Sequence, residues 1–489
     1  MECPRQPFDA TKAGMSIQFI LSEFEGAIGK QYVLISDKDK EPYLTDWGKR
    51  YKGKALAVLK PANTAEVASL VKICNKYRIS IVPQGGNTGL CGGATPDNNG
   101  DSVIILLLRL NQISDVDIQN STITVGGGAI LKQVQDSAVE YGKLFPLSLA
   151  AEGSCTIGGN LATNAGGVQV LRYGNMRDLT LGLEVVTANG DIWNGLRSLR
   201  KDNTGYSLKD LFIGSEGTLG IITAATLKVF PLPTTKITAL VKVNDVASSI
   251  ALLQQVQKGC SADLTAFELI SNRAIELVSD RFILAQQLLI DQTDWTVLIE
   301  LSSMDSEDKI RLEIQSLLMN AMNSSLIADG IVAESIQQSK SMWEIRETIP
   351  EAQLQLGNVI KHDISLPISE LATFIDSTNQ KLREKWSDIE VIVFGHVGDG
   401  NLHYNLVGLS QDSSRLLPDR RDEINRLVHD QVYLYEGSFS AEHGIGQAKV
   451  TELLERKSTT EMSLMHSIKR SLDPNCIMNP NKVVLRNPH

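Results

Sequence analysis

The chain has 489 residues, 42% of them hydrophobic and 21% charged, a composition that folds into globular domains rather than staying disordered. Its 47 basic side chains against 57 acidic ones give a net charge of −10, which argues against nucleic acid or an anionic membrane as the main partner. Six cysteines without a CxxC pair spell neither a disulfide framework nor a zinc ribbon, and the longest apolar run, 103–108, is far short of the ~20 residues of a membrane helix. At roughly 150 residues per domain, two or three domains are expected, in a reducing and cytoplasmic location.

Residues 1–14 lack the apolar stretch of a signal peptide and read as a disordered extension, with Met15 as an alternative start. Residues 55–59 form a short apolar strand. Asn63 then offers an N-cap with Glu66 three residues on, and Val67, Leu70, Val71 and Cys74 follow at the spacing of one buried helix face. The strand at 79–82 runs directly into a glycine-rich loop, and 103–108 and 122–125 continue a β-rich region to about residue 230. Pro231-Leu-Pro233 marks a domain boundary. Beyond it, strands at 237–243, 296–301, 359–366 and 390–394 alternate with helices at 246–256, 307–319 and 369–385. This pattern predicts an α+β unit with helices on one face of an antiparallel sheet. The expected organisation is therefore an extension at 1–14, a first domain at 15–230, a second at 231–420 and a helical segment at 421–489 that returns to the first domain.

Three glycine clusters fall within the first domain. Gly85, Gly86, Asn87, Thr88, Gly89 and Leu90 lie in a stretch ending at Gly93, directly after a strand. Glu152, Gly153, Thr156, Gly158, Asn160, Asn164 and Gly167 lie in a second stretch, and Glu216, Gly220 and Ile222 in a third. Glycine lets consecutive backbone amides converge on an anion such as a pyrophosphate. The first of these loops is neither a Walker motif, since no GKS or GKT ends it, nor a GxGxxG dinucleotide motif. Three such loops in one domain suit an extended ligand held largely by main chain, and a flavin dinucleotide fits that description.

Two motifs carry a second constellation. In Phe394-Gly-His396-Val-Gly-Asp-Gly-Asn-Leu-His403-Tyr-Asn405, a two-residue turn at Asp399-Gly400 would pair residue 396 with 403. His396 and His403 would then face each other, with Asn405 on the same side two residues on. Glu442, in Ser440-Ala-Glu-His443-Gly, would complete a site of two histidines and one carboxylate for a divalent metal. Asp399 reads as the turn residue. Two cations suit substrate carboxylates: Arg346, flanked by acids, and Lys361, on an apolar strand.

The ordered glycine loops and the two histidine motifs resemble the FAD-binding vanillyl-alcohol oxidase superfamily, in its D-lactate/D-2-hydroxyglutarate dehydrogenase branch, over residues 45–485. The resemblance implies a two-subdomain FAD-binding domain of the p-cresol methylhydroxylase (PCMH) type and a ferredoxin-like cap domain with an antiparallel sheet. It implies that loop 85–90 cradles the pyrophosphate and that the other glycine-cluster residues line the cofactor. Asn87 lies where related proteins with covalent flavin carry histidine, so non-covalent FAD is expected. The resemblance further implies that His396, His403 and Glu442 hold a divalent ion, with zinc favoured. His443 would face the substrate as general base, with Arg346, Lys361 and Asn405 as further substrate contacts. The implied reaction oxidises a D-2-hydroxy acid to the 2-oxo acid, with hydride passing to flavin N5. D-2-hydroxyglutarate stands ahead of D-lactate, but only narrowly: Pro350 stands where the D-2-hydroxyglutarate enzymes place threonine, four residues after the arginine, and this departure counts against that substrate. A flavin oxidase acting on another hydroxy acid such as glycolate, and a non-catalytic flavin-binding subunit of a redox complex, are the alternatives. The reading also implies an electron acceptor, whether an electron-transfer flavoprotein, a quinone or a cytochrome, and a homodimer is the base-rate expectation.

Overall fold

The computed structural model describes all residues except 1–16, 261, 290–292 and 486–489. The expected extension at 1–14 lies outside the described residues. The chain divides into two compact units: Met1–Gly166 with Asn175–Pro231 and His443–His489, and Gly167–Gly174 with Leu232–Glu442. The return to the first unit therefore begins at His443 and not at 421. The reason is the helix Gln411–Leu434, which runs across that point and buries Leu417, Ile424, Val428 and Val432 in the core of the second unit.

The first unit carries two four-stranded sheets. In one, Ala57–Leu59, Ser102–Leu106 and Ser80–Gln84 pair in parallel, with Val33–Leu34 antiparallel at the edge. The crossover between Ala57–Leu59 and Ser80–Gln84 is the helix Thr64–Tyr77. Asn63 caps it by accepting the Glu66 N–H, and Val67, Leu70, Val71 and Cys74 are buried, as their spacing predicts. The other sheet is antiparallel, in the order Thr122–Gly126, Gly220–Lys228, Thr180–Thr187, Ile192–Gly195. The C-terminal stretch is tied in by reciprocal backbone bonds, Ile81 N to Ile477 O at 2.7 Å and Asn479 N to Ile81 O at 2.8 Å. Lys469 reinforces it, donating to Asp473 and to the carbonyls of Thr218 and Met478.

The second unit is built on an antiparallel sheet in the order Ile327–Val332, Thr235–Val243, Trp295–Ser303, Leu264–Ser271, Ile389–Gly395, Asn401–Gly408, Val359–Ile360, with Asp363–Ser365 also on Asn401–Gly408. Its helices cover both faces, not one. Ala239, Val241 and Val243 enter one hydrophobic core with the helices Val246–Cys260 and Glu307–Asn323. Leu240, Ile270 and Leu298 enter another with Asn272–Ser279 and Ile336–Ala352. The strands are apolar at consecutive positions because both faces are buried, a pattern that alternation alone does not resolve.

Candidate functional site

A pocket in the first unit is lined by all three glycine clusters. Gly85, Gly86, Asn87, Thr88, Gly89, Thr156, Gly158, Asn160, Glu216, Gly220, Ile222 and His443 all contribute to its wall. The loop stays thin because the protein itself occupies the space that side chains would take. A Cβ on Gly86 would lie 2.0 Å from the Ser154 carbonyl oxygen, and one on Gly85 would lie 2.2 Å from Thr156 Oγ1. Asn87 adopts a left-handed conformation (φ 53°) and donates from Nδ2 to the Thr45 carbonyl at 2.8 Å. Thr156 caps the helix Ile157–Ala162, and this helix stands on Gly127 through the Gly158 N–H at 2.8 Å. A pocket walled by main chain and small side chains fits an extended cofactor.

Not every residue of the clusters reaches this wall. Asn164 accepts the Arg177 N–H at 2.9 Å, and Glu152 accepts from Gln135 at 3.1 Å. The Leu90 carbonyl accepts from Arg50, and Gly153 has nothing near its missing Cβ. Gly167 belongs to the second unit. Leu90, Glu152, Gly153, Asn164 and Gly167 are absent from the residues that line the pocket.

Glu216 does more than line the wall. Its carboxylate accepts the N–H groups of Ile445 at 2.7 Å and Gly446 at 2.8 Å, clamping the segment that follows His443. Burial pushes its pKa up, and these two N–H groups oppose that shift. Cys91 fastens the same segment from another side. Its thiol donates to the Gly444 carbonyl at 3.3 Å, and its own carbonyl accepts the Gln447 N–H at 2.9 Å.

In the second unit, His396, His403 and Glu442 bring ligand atoms within 4.8 Å of one another. The hairpin register differs from the expected one. Phe394, not His396, pairs with His403, and residues 397–399 form a 3-10 turn closed by Gly400 at φ 83°. The shift is two residues, so the side-chain parity is kept. The two imidazoles still meet, with ring centroids 5.7 Å apart. His396 Nε2 lies 3.9 Å from Glu442 Oε1, and Asp363 accepts the Glu442 N–H at 2.8 Å. Burial pushes the Glu442 carboxyl up to about 7, against the pull of His396. Burial likewise raises Asp399 to about 6. Two imidazoles and a carboxylate at this spacing are a donor set that fits a divalent cation.

Behind His396 stands Glu268, with no solvent exposure. Its Oε1 is 2.5 Å from His396 Nδ1, and its Oε2 accepts Arg346 Nε at 2.8 Å. Burial alone would raise the Glu268 pKa, but the charges of His396 and Arg346 outweigh it and hold the group at about 2. Burial would lower the His396 pKa, but Glu268 outweighs it and lifts the imidazole to about 9. Arg346 is thus already engaged with a carboxylate of the protein, and its guanidinium also lies 4.7 Å above the Phe394 ring. Pro350 sits one turn further along the same helix and has no N–H for the Arg346 carbonyl. Lys361 is exposed, in the gap between Val359–Ile360 and Asp363–Ser365, rather than within an apolar strand. Asn405 is buried with both ends of its amide used, accepting the His362 N–H at 3.2 Å and donating to Gln353 at 2.8 Å. Glu268, Asp363 and Cys91 were not among the residues singled out from sequence. A signal existed for Glu268, the lone charge in Leu264–Ser271, since a fully buried carboxylate requires a partner.

Residues 55–195 match the family model described as FAD binding domain, and residues 232–483 match that of the FAD linked oxidases, C-terminal domain. The chain is 38% identical over 471 residues to the mitochondrial D-2-hydroxyglutarate dehydrogenase of Arabidopsis thaliana, covering 96% of this chain and 81% of the relative. It is 36% identical over 453 residues to the mitochondrial D-2-hydroxyglutarate dehydrogenase of Bos taurus, covering 92% and 81%. Among solved structures, p-cresol methylhydroxylase with substrate bound superposes with a TM-score of 0.76 at 18% identity, over 96% of this chain and 98% of the other. The α+β, PCMH-type architecture expected from sequence is the one these folds share. The cytoplasmic location is not upheld, because both relatives are named as mitochondrial, which points away from the cytoplasm. Charge, cysteine spacing and short apolar runs do not distinguish one aqueous compartment from another. No helix among the described residues is long and apolar enough to cross a membrane. The matches cover both halves of the chain, which belongs to the FAD-linked oxidase family, in the branch of the D-2-hydroxyglutarate dehydrogenases.

Proposed function

We propose that the protein is an FAD-linked dehydrogenase that oxidises a D-2-hydroxy acid to the 2-oxo acid with the help of one divalent metal, zinc favoured. D-2-hydroxyglutarate is the first candidate substrate and D-lactate the second. The observation that carries the metal-dependent reading is the convergence of His396, His403 and Glu442 within 4.8 Å, in a chain whose relatives are D-2-hydroxyglutarate dehydrogenases. When bound, FAD supplies the hydride acceptor and the metal supplies a Lewis acid that acidifies the substrate hydroxyl.

The protein's own residues do the rest. The thin loop 85–89 and the helix start at 156–160 hold the cofactor without a covalent bond, since Asn87 offers no attachment point. His443 takes the hydroxyl proton on its imidazole as general base. Its neighbours at 444–446 are clamped by Glu216 and Cys91, which holds the base in place. Lys361 and the terminal guanidinium nitrogens of Arg346, which Glu268 leaves to other partners, bind the carboxylates.

Turnover of a panel of D- and L-2-hydroxy acids with a dye acceptor, before and after chelation, tests the reading. Activity confined to D-isomers, lost on chelation while the flavin spectrum persists, is the expected result. Equal rates on both enantiomers, or full activity after metal removal, would refute it. Acid precipitation should release intact FAD; a flavin that stays with the polypeptide would refute non-covalent binding.

A further inference from the structure

Glu268 and Arg346 form a buried chain that ends on His396. Glu268 lies in the strand Leu264–Ser271, where every residue is buried, and both of its carboxylate oxygens are used. Oε1 takes His396 Nδ1 and Oε2 takes Arg346 Nε. An imidazole whose Nδ1–H donates a hydrogen bond to a carboxylate must offer Nε2 for coordination, and Nε2 is the nitrogen directed at Glu442, at 3.9 Å. The Arg346 guanidinium also covers the Phe394 ring, whose centroid lies 4.9 Å from that of the His403 ring, so Phe394 packs between the arginine and the other histidine.

As a device for stability alone this arrangement is poor. Taking a carboxylate and a guanidinium out of water costs as much as their attraction returns, and apolar side chains of similar volume would serve as well. What the chain does provide is direction: one tautomer, one ring orientation, and a carboxylate that makes the imidazole a stronger donor.

Resting on the metal-dependent reading above, we propose that Glu268, anchored by Arg346, is a positioning residue that aims His396 Nε2 at the divalent ion. The arginine then has a second role besides any contact with substrate. The substitution Glu268→Gln keeps the shape of the side chain but removes its charge.

The test uses the full-length protein carrying its flavin. Zinc affinity is measured by chelator competition, and the visible absorption of the Co(II)-substituted protein reports ligand geometry. E268Q should bind zinc about 10- to 100-fold more weakly and show an altered Co(II) spectrum, with flavin content unchanged. If E268Q does not accumulate, Glu268→Asp replaces it, keeping the charge that Arg346 needs while withdrawing the oxygens by one methylene; the same weakening is expected. Wild-type affinity and an unaltered Co(II) spectrum in the variant would overturn this inference and leave the proposed function standing. A wild-type protein that binds no divalent ion would overturn both.

Discussion

Replacing Glu216 by glutamine tests how firmly the segment after His443 is held. The carboxylate receives two backbone N–H groups, from Ile445 at 2.7 Å and Gly446 at 2.8 Å, one on each oxygen. Glutamine keeps one acceptor oxygen and turns an NH2 group toward the other N–H. A hydrogen bond to a charged group contributes about 1.5–3 kcal/mol, and a buried donor left unsatisfied costs about 1–3 kcal/mol. Glutamine recovers part of this, because it has no charge to bury, and burial already works against the Glu216 carboxylate. The balance is a loss of about 2–4 kcal/mol in the free energy of opening the segment, which corresponds to about 30- to 1,000-fold faster exchange of its amides. Hydrogen–deuterium exchange followed by mass spectrometry on a peptide spanning 443–449 measures this directly. The effect should be local, with the amides of Ser80–Gln84 exchanging as before. Unchanged exchange at 445 and 446 would refute the clamp.

Three further outcomes follow from the same geometry. Gly86→Ala should lower flavin occupancy, because its Cβ would sit 2.0 Å from the Ser154 carbonyl and push the loop out of place; the bound flavin absorbance of purified protein reads this, and full occupancy would contradict it. In the metal-free protein, the Glu268–His396 pair should give a window of best thermal stability. The stability from Glu268 is present above its usual 4.5 and lost as pH falls toward about 2, whereas that from His396 is present below its usual 6.5 and lost as pH rises through about 9. A melting temperature flat from pH 2 to 10 in the metal-free wild type would exclude this pair as a contributor. Cys74 is fully buried on the helix Thr64–Tyr77 and its thiol is pushed far up by desolvation, so it should resist alkylation at pH 8 in the native protein and react in urea; rapid native labelling would show that the helix opens.

What the sequence made legible was whatever depends on local spacing. The Thr64–Tyr77 helix, its Asn63 cap and its buried face follow from a run of a dozen residues, and each is present. The convergence of His396 and His403 was legible for a subtler reason. The expected turn was too tight by two residues in register, yet strand side chains repeat every two residues, so an even error leaves both imidazoles on the same side. An odd error would have turned one of them away. The partners of these residues were not legible in the same way. Glu268 is 128 residues from His396 in the chain and Glu216 is 229 from Ile445, and no periodicity connects them. What they do announce is a deficit: a carboxylate within a strand of apolar neighbours, or one beside a glycine in a left-handed turn, has to be neutralised or hydrogen-bonded somewhere. Arg346 shows the same logic from the other side. Flanked by acids in sequence, it pairs with neither Glu344 nor Glu347 in any hydrogen bond that defines its place, but with a carboxylate on a distant strand. A charge in a chemical motif therefore has two claims on it, one from the ligand and one from the protein interior. At Arg346 the interior has taken Nε, and only the terminal nitrogens are left for the claim of a ligand.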